Sequence, residues 1–350
     1  MNHLFEYKDS FALTKEIESN LIYGDPQKCN PEVCIMIPTY RRANGLELSL
    51  QSVFKQTGTV SYGIIVIDND SSVDPDTDEL MRKITIAHDN VLYYRNAENI
   101  GIAGNWNRCI ELSRSDYLCI LHDDDQLLPD YLNSLFPIAS SVKFGAIGVF
   151  NRYFYFSGDG NHQGVNDKSK ELISKLRGNK LIPFYPQDSI TNRRPSPTAC
   201  LYRKRACEEV GGFSFEKVKN GQLSDNVFFY RLGLQWPVFI LPKILALRGV
   251  GDNDSFKVAY DVLAGDYYLN QAIIDEGKIR VKRLYRWFSK RTLEQILLSY
   301  NKTYGMKMTR SELCDRLGLK KKDLHSSELI MKLIQAVLWG GACLRPAPRN

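Results

Sequence analysis

The chain has 350 residues, a net charge of +6, 43% hydrophobic and 25% charged residues, the make-up of a soluble globular protein with one large or two ordinary domains. No apolar run approaches the roughly 20 residues that span a bilayer, and the polar start Met1–Lys15 lacks the apolar core of a secretory signal. Eight cysteines without a Cys-x-x-Cys pair argue against a zinc or redox framework and fit buried thiols in a reducing cytoplasm.

Charge is unevenly spread: residues 278–350 hold 17 Lys+Arg against 5 Asp+Glu, and the remainder is acidic. A basic end on an acidic body points to a negatively charged surface as partner.

Residues 1–31 read as a polar leader without an assigned role. Val33–Ile37 is a continuous apolar run of strand length that stops at Pro38-Thr39-Tyr40-Arg41-Arg42, and a helix over about Gly45–Gln56 follows, with Leu46, Leu50 and Val53 on one face. Gly63–Ile67 is a second buried strand ending at Asp68-Asn69-Asp70, before a helix over about Asp76–Ile86. Val91–Arg95 is a third strand, followed by Asn99-Ile100-Gly101 and a helix over about Ala103–Ser113. Tyr117–Leu121 is a fourth, ending abruptly in His122 and three carboxylates, Asp123, Asp124 and Asp125, with a helix expected from Pro129.

Continuous rather than alternating apolar strands between helices mean a mainly parallel sheet covered on both faces. Ligands then sit at the carboxyl ends of the strands, where Thr39, Tyr40, Arg42, Asp68, Asn99 and the acidic cluster gather. Three buried acids repel one another and lose hydration unless a cation joins them. Hard oxygen ligands with room for water and phosphate suit Mg²⁺ or Mn²⁺; a solvated acidic turn before a helix is the plainer alternative.

Beyond Gly145 the pattern changes. Gly145–Phe156 is strand-like, residues 157–169 read as a loop, and a second loop over Asp188–Pro197 carries Arg193 and Arg194. Ala199–Arg203 is a strand, Lys204–Val210 a helix stopped by Gly211-Gly212, and Ser224-Asp225 opens a helix to about Leu234. Trp236–Leu241 and Ile244–Leu247 are strand-like, and from Asp261 the chain reads helical and becomes basic.

A dinucleotide dehydrogenase would need Gly-x-Gly-x-x-Gly after the first strand, and Pro38–Arg42 has no glycine. A nuclease could use the acids, yet nothing outside the basic end supplies a nucleic-acid groove, so nucleic acid is not expected as a partner. In their order, Val33–Tyr40, Ile65–Ser71, Asn99-x-Gly101 with Asn107, His122–Asp125 with Leu128-Pro129, Gly211-Gly212-Phe213 and Ser224-Asp225 with Arg231 resemble the motifs of family-2 glycosyltransferases of the GT-A fold, over about residues 32–250.

The resemblance implies a GT-A catalytic domain over 32–260, with a nucleotide-binding half over 32–132, an acceptor-binding half over 133–260, and a helical basic region over 261–350. It implies an inverting transfer of a hexose from a nucleotide-diphosphate sugar, UDP-linked on the reading of Asp68 as the uracil contact, to a lipid-linked glycan of surface polysaccharide synthesis. Pro38, Thr39, Tyr40, Arg42, Asp68, Asn99, Asn107 and Asp123 become donor contacts. Asp124, with Asp123 towards ribose or metal, holds Mn²⁺ or Mg²⁺, and Asp225 is the catalytic base. The local alternatives remain: Asp225 as a helix cap, Asn107 as a structural amide, Asp68 in an Asx turn. His122 stands in place of the family's first Asp, Ser224 in place of Glu, and Arg248 lacks the His that often follows it, which leaves open a third metal ligand and a non-catalytic glycan- or lipid-binding module.

At the basic end, residues 278–291 hold seven Lys or Arg among Tyr285, Trp287 and Phe288, and Leu329, Ile330, Leu333, Ile334, Val337 and Leu338 form one apolar helix face. An apolar face among cations suits an anionic membrane surface, here the inner face of the cytoplasmic membrane. The same face would also serve to pack on the catalytic domain or on a second copy in a homodimer.

Overall fold

The structure is a computed structural model and describes residues 6–324 apart from 156–162, 166–167, 192, 216, 219–220, 223, 251–258, 277–280 and 305. Four parallel strands form the first part of the sheet: β2 (Val33–Thr39), β3 (Tyr62–Asp68), β4 (Val91–Asn96) and β5 (Tyr117–Ile120), in spatial order β4-β3-β2-β5. Every residue of β2 is buried. Its side chains divide by pleat: Val33, Ile35 and Ile37 join one core, and Cys34 and Met36 the other. Ile64 and Val66 of β3 divide from Ile65 and Ile67 in the same way. Two apolar faces explain why these strands read as unbroken apolar runs.

The first core lies under α1 (Ala43–Phe54), α2 (Pro75–Ala87) and α4 (Tyr131–Ala139), and the second under α3 (Gly101–Leu112), α6 (Lys204–Glu209) and α7 (Ser224–Gln235). Local chemistry sets the helix ends. Asp74 caps α2 by accepting from the Thr77 N–H at 3.2 Å, with Pro75 in the first turn. Gly211 and Gly212 stop α6 with φ of +79° and +71°, and a Cβ on Gly211 would lie 2.0 Å from the Lys8 carbonyl oxygen.

The stretch expected as a leader joins the sheet: β1 (Ser19–Tyr23) pairs antiparallel with β4, and Ser10 N–H donates to the Gly211 carbonyl at 2.9 Å. Past β5 the sheet turns mixed. A short β6 (Asp125–Leu127) leaves the acidic cluster and pairs antiparallel with β13 (Val238–Val250), which puts Arg248 opposite Asp125. β7 (Ala146–Tyr155) runs parallel to β13, and β10 (Cys200–Arg203) pairs antiparallel with both β5 and β7.

Two strands expected between 236 and 247 are thus one, with register shifts around Pro242. The stretch expected as a loop over 157–169 contains β8 (Gln163–Val165) and opens α5 (Lys168–Arg177). Completing the described strands are β9 (Ile182–Phe184), which pairs with β13, and a hairpin of β11 (Lys217–Val218) and β12 (Gly221–Gln222).

The basic region begins with α8 (Ala259–Glu276) and α9 (Lys282–Tyr304), then α10 (Arg310–Leu317) and α11 (Lys321–Leu324). These helices share a core of Leu263, Leu293, Leu297, Leu313 and neighbours. A further cluster joins α8 to the body: Leu269, Ile273 and Ile274 pack with Ile190, Val227 and Tyr230. The apolar face expected over 329–338 lies outside the described residues. Among the described residues no helix is long and apolar enough to cross a membrane.

Candidate active site

The carboxyl ends of β2 and β5 open into a cavity of about 510 Å³. Pro38, Thr39, Tyr40, Arg42, Asn69, Trp106, His122, Asp123 and Asp124 line it. Asn151, Tyr153, Lys170, Arg193, Arg194, Asp225 and Arg248 line it as well. Val262 and Asp266 of α8 and Ile296 and Tyr300 of α9 reach the same space, so the basic region is part of the site's wall.

Each carboxylate of the cluster meets different partners. Asp123 accepts from the Thr39 hydroxyl at 2.8 Å and faces Arg42 at 3.5 Å. Burial, with the charge of Asp124 beside it, pushes its carboxyl up to about 7, against the pull of Arg42 and Thr39. Asp125 accepts from the Gly249 N–H of β13 at 2.9 Å, and its carboxyl is also raised by burial and by Asp124. Asp124 meets the Arg42 guanidinium at 3.3 Å. The turn that aims Arg42 passes through Arg41 at φ +51°, whose own guanidinium binds Asp70 at 2.6 Å. Helix α1 comes this near because of Gly45, where a Cβ would stand 2.5 Å from the Asp123 carbonyl oxygen.

His122, Asp124 and Asp125 place one donor atom each within 4.8 Å of one another. Of the metal pair expected from the sequence, Asp124 belongs to this group with His122 and Asp125, while Asp123 lines the same cavity with one oxygen on the Thr39 hydroxyl. The imidazole stacks on Trp106 with centroids 5.1 Å apart. Burial lowers its pKa to about 4, so the ring is neutral at pH 7 and keeps a lone pair for a ligand bond. Its buried Nε2 and the buried Oδ2 of Asp125 have no hydrogen-bond partner among the described residues, as a cation site would leave them. Nitrogen with carboxylate oxygens is a donor set that Mn²⁺ accepts, and the carboxylates alone suit Mg²⁺.

Three expected donor contacts sit elsewhere. Asp68 is fully buried: one oxygen accepts from the Asp70 N–H at 3.0 Å and the other from the Tyr93 hydroxyl at 2.7 Å, and Asn69 rather than Asp68 reaches the cavity. Asn99 accepts from the Gly101 N–H at 2.9 Å and from the Asn69 amide at 3.0 Å, closing the start of α3 instead of lining the cavity. Asn107 is fully buried, donating to the Phe213 carbonyl at 2.9 Å and accepting from the Phe213 N–H at 2.6 Å. Both ends of that amide serve the Gly211-Gly212-Phe213 turn, so the structural reading of Asn107 replaces the donor contact.

Asp225 stands in the first turn of α7, with Arg194 Nε 3.9 Å from its carboxylate. His122 feels the charge of both Asp124 and Asp225, which puts the two acids around one centre. Sequence reasoning missed Asn69, Asn105, Tyr153, Lys170, Asp266 and Tyr300. For Asp266 a signal existed: it shares a helix stripe with Leu263, Asn270 and Ile273, all buried, where a lone carboxylate is costly unless it has a task.

Replacing Asn107 with Ala leaves two buried backbone groups unpaired, at about 1–3 kcal/mol each. Asn107→Ala should therefore melt several degrees lower, while the folded protein binds nucleotide as before. An unchanged melting temperature with weakened nucleotide binding would return Asn107 to the donor site.

Comparison with known proteins supports this geometry. The family model for glycosyl transferase family 2 matches residues 34–211. A Campylobacter jejuni GalNAc(5)-diNAcBac-PP-undecaprenol beta-1,3-glucosyltransferase is 24% identical over 174 residues, 47% of this chain and 54% of that protein, so the match spans about half of the relative. S. aureus TarS, solved with UDP-GlcNAc, superposes with a TM-score of 0.53 at 13% identity, covering 78% of this chain and 73% of that one. The Pyrobaculum calidifontis mannosyltransferase PcManGT, solved with GDP-Man and Mn²⁺, gives 0.54 at 14% identity over 96% and 87%. The motifs, the covered sheet with its cavity at the strand ends, and the matched span agree: the chain belongs to the family-2 glycosyltransferases, on a GT-A fold.

Proposed function

We propose that the protein moves a hexose from a nucleotide-diphosphate sugar, UDP-linked, to a lipid-linked glycan in surface polysaccharide synthesis, with inversion at the anomeric carbon. The observation that carries this reading is one cavity lined by His122, Asp124 and Asp225, with Asp125 joining His122 and Asp124 in the group that could hold a cation. Tyr40 and Asn69 line the end where the base would lie, and Arg42 stands where it can turn from Asp123 and Asp124 to a diphosphate oxygen. The preference for uracil rests on the resemblance of the Ile65–Ser71 segment, which sets Asn69 and not the enclosed Asp68 at the cavity, and the lipid-linked acceptor on the undecaprenol-linked substrate in the Campylobacter relative's name.

An acceptor hydroxyl beside Asp225 attacks the anomeric carbon as the bond to the diphosphate oxygen breaks. The nucleoside diphosphate leaves with that electron pair, and the hydroxyl proton passes to the Asp225 carboxylate. Direct displacement from the face opposite the leaving group inverts the centre. A divalent cation held by Asp124 with His122 and Asp125 would supply positive charge beside the leaving diphosphate. Arg42 adds a fixed positive charge on the same side, and the apolar Trp106 behind His122 limits water there.

Asp124→Ala should abolish turnover and weaken Mn²⁺-dependent UDP binding. Asp225→Asn should bind UDP near normally while turnover falls by about two orders of magnitude, the usual loss for a general base. Near-normal activity in Asp225→Asn would make that residue a helix cap. Titration calorimetry with UDP, GDP and CDP decides the base, and tighter binding of GDP or CDP would overturn the choice of uracil.

We further propose that the basic region attaches the enzyme to the cytoplasmic face of an anionic membrane, near a lipid-linked acceptor. Its charge surplus supports this, at about 1 kcal/mol for each basic residue near the surface. So do the exposed Val281, just before α9, and Leu284 and Leu298 along it, near Arg283, Arg286 and Lys290. In flotation with anionic vesicles, the full chain should float and a chain ending at Leu324 should float less, both effects fading with salt. Equal flotation of the two, or indifference to lipid charge, would leave the tail as a packing or dimerisation element.

A further inference from the structure

Beside Asp225 the cavity holds a further carboxylate that the reaction above does not use. Asp266 comes from α8, is 6% exposed, and shares one guanidinium with the base: Arg194 Nη2 lies 3.8 Å from Asp266, and Arg194 Nε 3.9 Å from Asp225. Neither distance is that of a closed bidentate pair. The guanidinium stands between two acids, and its balance follows their charges.

A direct link ties the same elements. The Asn226 amide, next in the chain to Asp225, donates to Asp266 Oδ1, so the first turn of α7 is fastened to α8 at the site. Among the described residues, Tyr300 of α9 and Arg248 of β13 line the same cavity as this group.

We propose that Asp266 is a positioning residue for glycosyl transfer: when ionised it draws Arg194 away from Asp225 and leaves that carboxylate open to the acceptor hydroxyl. This rests on Asp225 as the base. A carboxylate in a tight ion pair has its lone pairs engaged and accepts a proton poorly, so a base beside an arginine needs a competitor for the positive charge. Asp266 is that competitor, and it comes from a helix outside the matched family span.

Burial raises the Asp266 carboxyl to about 6, with Asp225 adding to the rise and Arg194 opposing it. Below that pH Asp266 is neutral and Arg194 stays with Asp225; above it the charged Asp266 competes. Activity should therefore rise through a limb near pH 6 that belongs to Asp266.

The test is the pH dependence of nucleotide release by the full chain with Mn²⁺, from whichever of UDP-glucose, UDP-N-acetylglucosamine and GDP-mannose it cleaves fastest. Asp266→Asn should lose the limb and show a kcat about tenfold lower above neutral pH, with KM for the sugar nucleotide unchanged. Asp266→Glu should retain a limb. Arg194→Gln should lose the limb even if Asp266→Asn fails to fold, because Asp266 then has no guanidinium to move. A limb near pH 6 persisting in Asp266→Asn or Arg194→Gln, or a kcat in Asp266→Asn within twofold of the parent, would overturn the proposal. Full activity in Asp225→Asn would instead remove the base on which it rests.

Discussion

Three consecutive carboxylates at the end of a buried strand are the constraint around which the site is built. Side by side in a dry cleft they cannot all be ionised and unpartnered. The fold separates their duties by bringing a different element to each: the Thr39 hydroxyl from β2 to Asp123, the Gly249 N–H from β13 to Asp125, and Arg42 from the turn before α1 to Asp124. Each partner comes from a distant part of the chain, and the close approach at Gly45 lets α1 sit against the acidic turn. Asp124 is then the carboxylate held by a movable arginine, and the pairings of Asp123 and Asp125 are what make its exposure tolerable.

The same logic of borrowed partners extends to the opposite wall. Asp188 and Arg193 form a buried pair at 2.6 Å that fixes the segment carrying Arg194. Ile190 from that segment packs with Val227 of α7 and with Leu269 and Ile273 of α8. Arg194, Asp225 and Asp266 are therefore set by one apolar cluster, and the helices beyond the family match hold that part of the cavity in shape. A reading of those helices as a membrane attachment alone leaves out Asp266 and Tyr300, which reach the cavity.

Much of the nucleotide half is legible in the sequence because its information is local. β2, β3 and β5 are buried on both faces, so their apolar runs are unbroken, and the functional residues follow within a few positions of each strand end. What escaped is non-local. β6 is three residues long and exists because β13, more than a hundred residues later, pairs with it. The role of Asn107 depends on Phe213 lying against it, and no pattern around Asn107 tells a pinned turn from a ligand contact. Asp266 carries a faint signal, an acid on a buried helix stripe, but its partner Arg194 lies in a loop 72 positions earlier in the chain.

The acids of this site also differ in how their oxygens are used, which motif matching does not see. Asp68 and Asp123 both follow strands at the same sheet edge. Asp68 has one oxygen on the Asp70 N–H and the other on Tyr93, with Arg95 at 3.6 Å, and it is sealed from the cavity. A carboxylate so enclosed holds the β3 turn in place and sets Asn69, its neighbour, into the cavity. Asn69 then accepts from Asn96 and from the Ile100 N–H, each at 3.0 Å, and donates to Asn99, which joins the ends of β3 and β4 and the start of α3 in one amide network. Networks with every member satisfied are rigid. The Asn69 part of the cavity is thus a preformed polar surface, whereas the His122 part keeps two buried atoms without hydrogen-bond partners among the described residues. That contrast separates a part of the site closed by its own network from a part with bonding capacity left over.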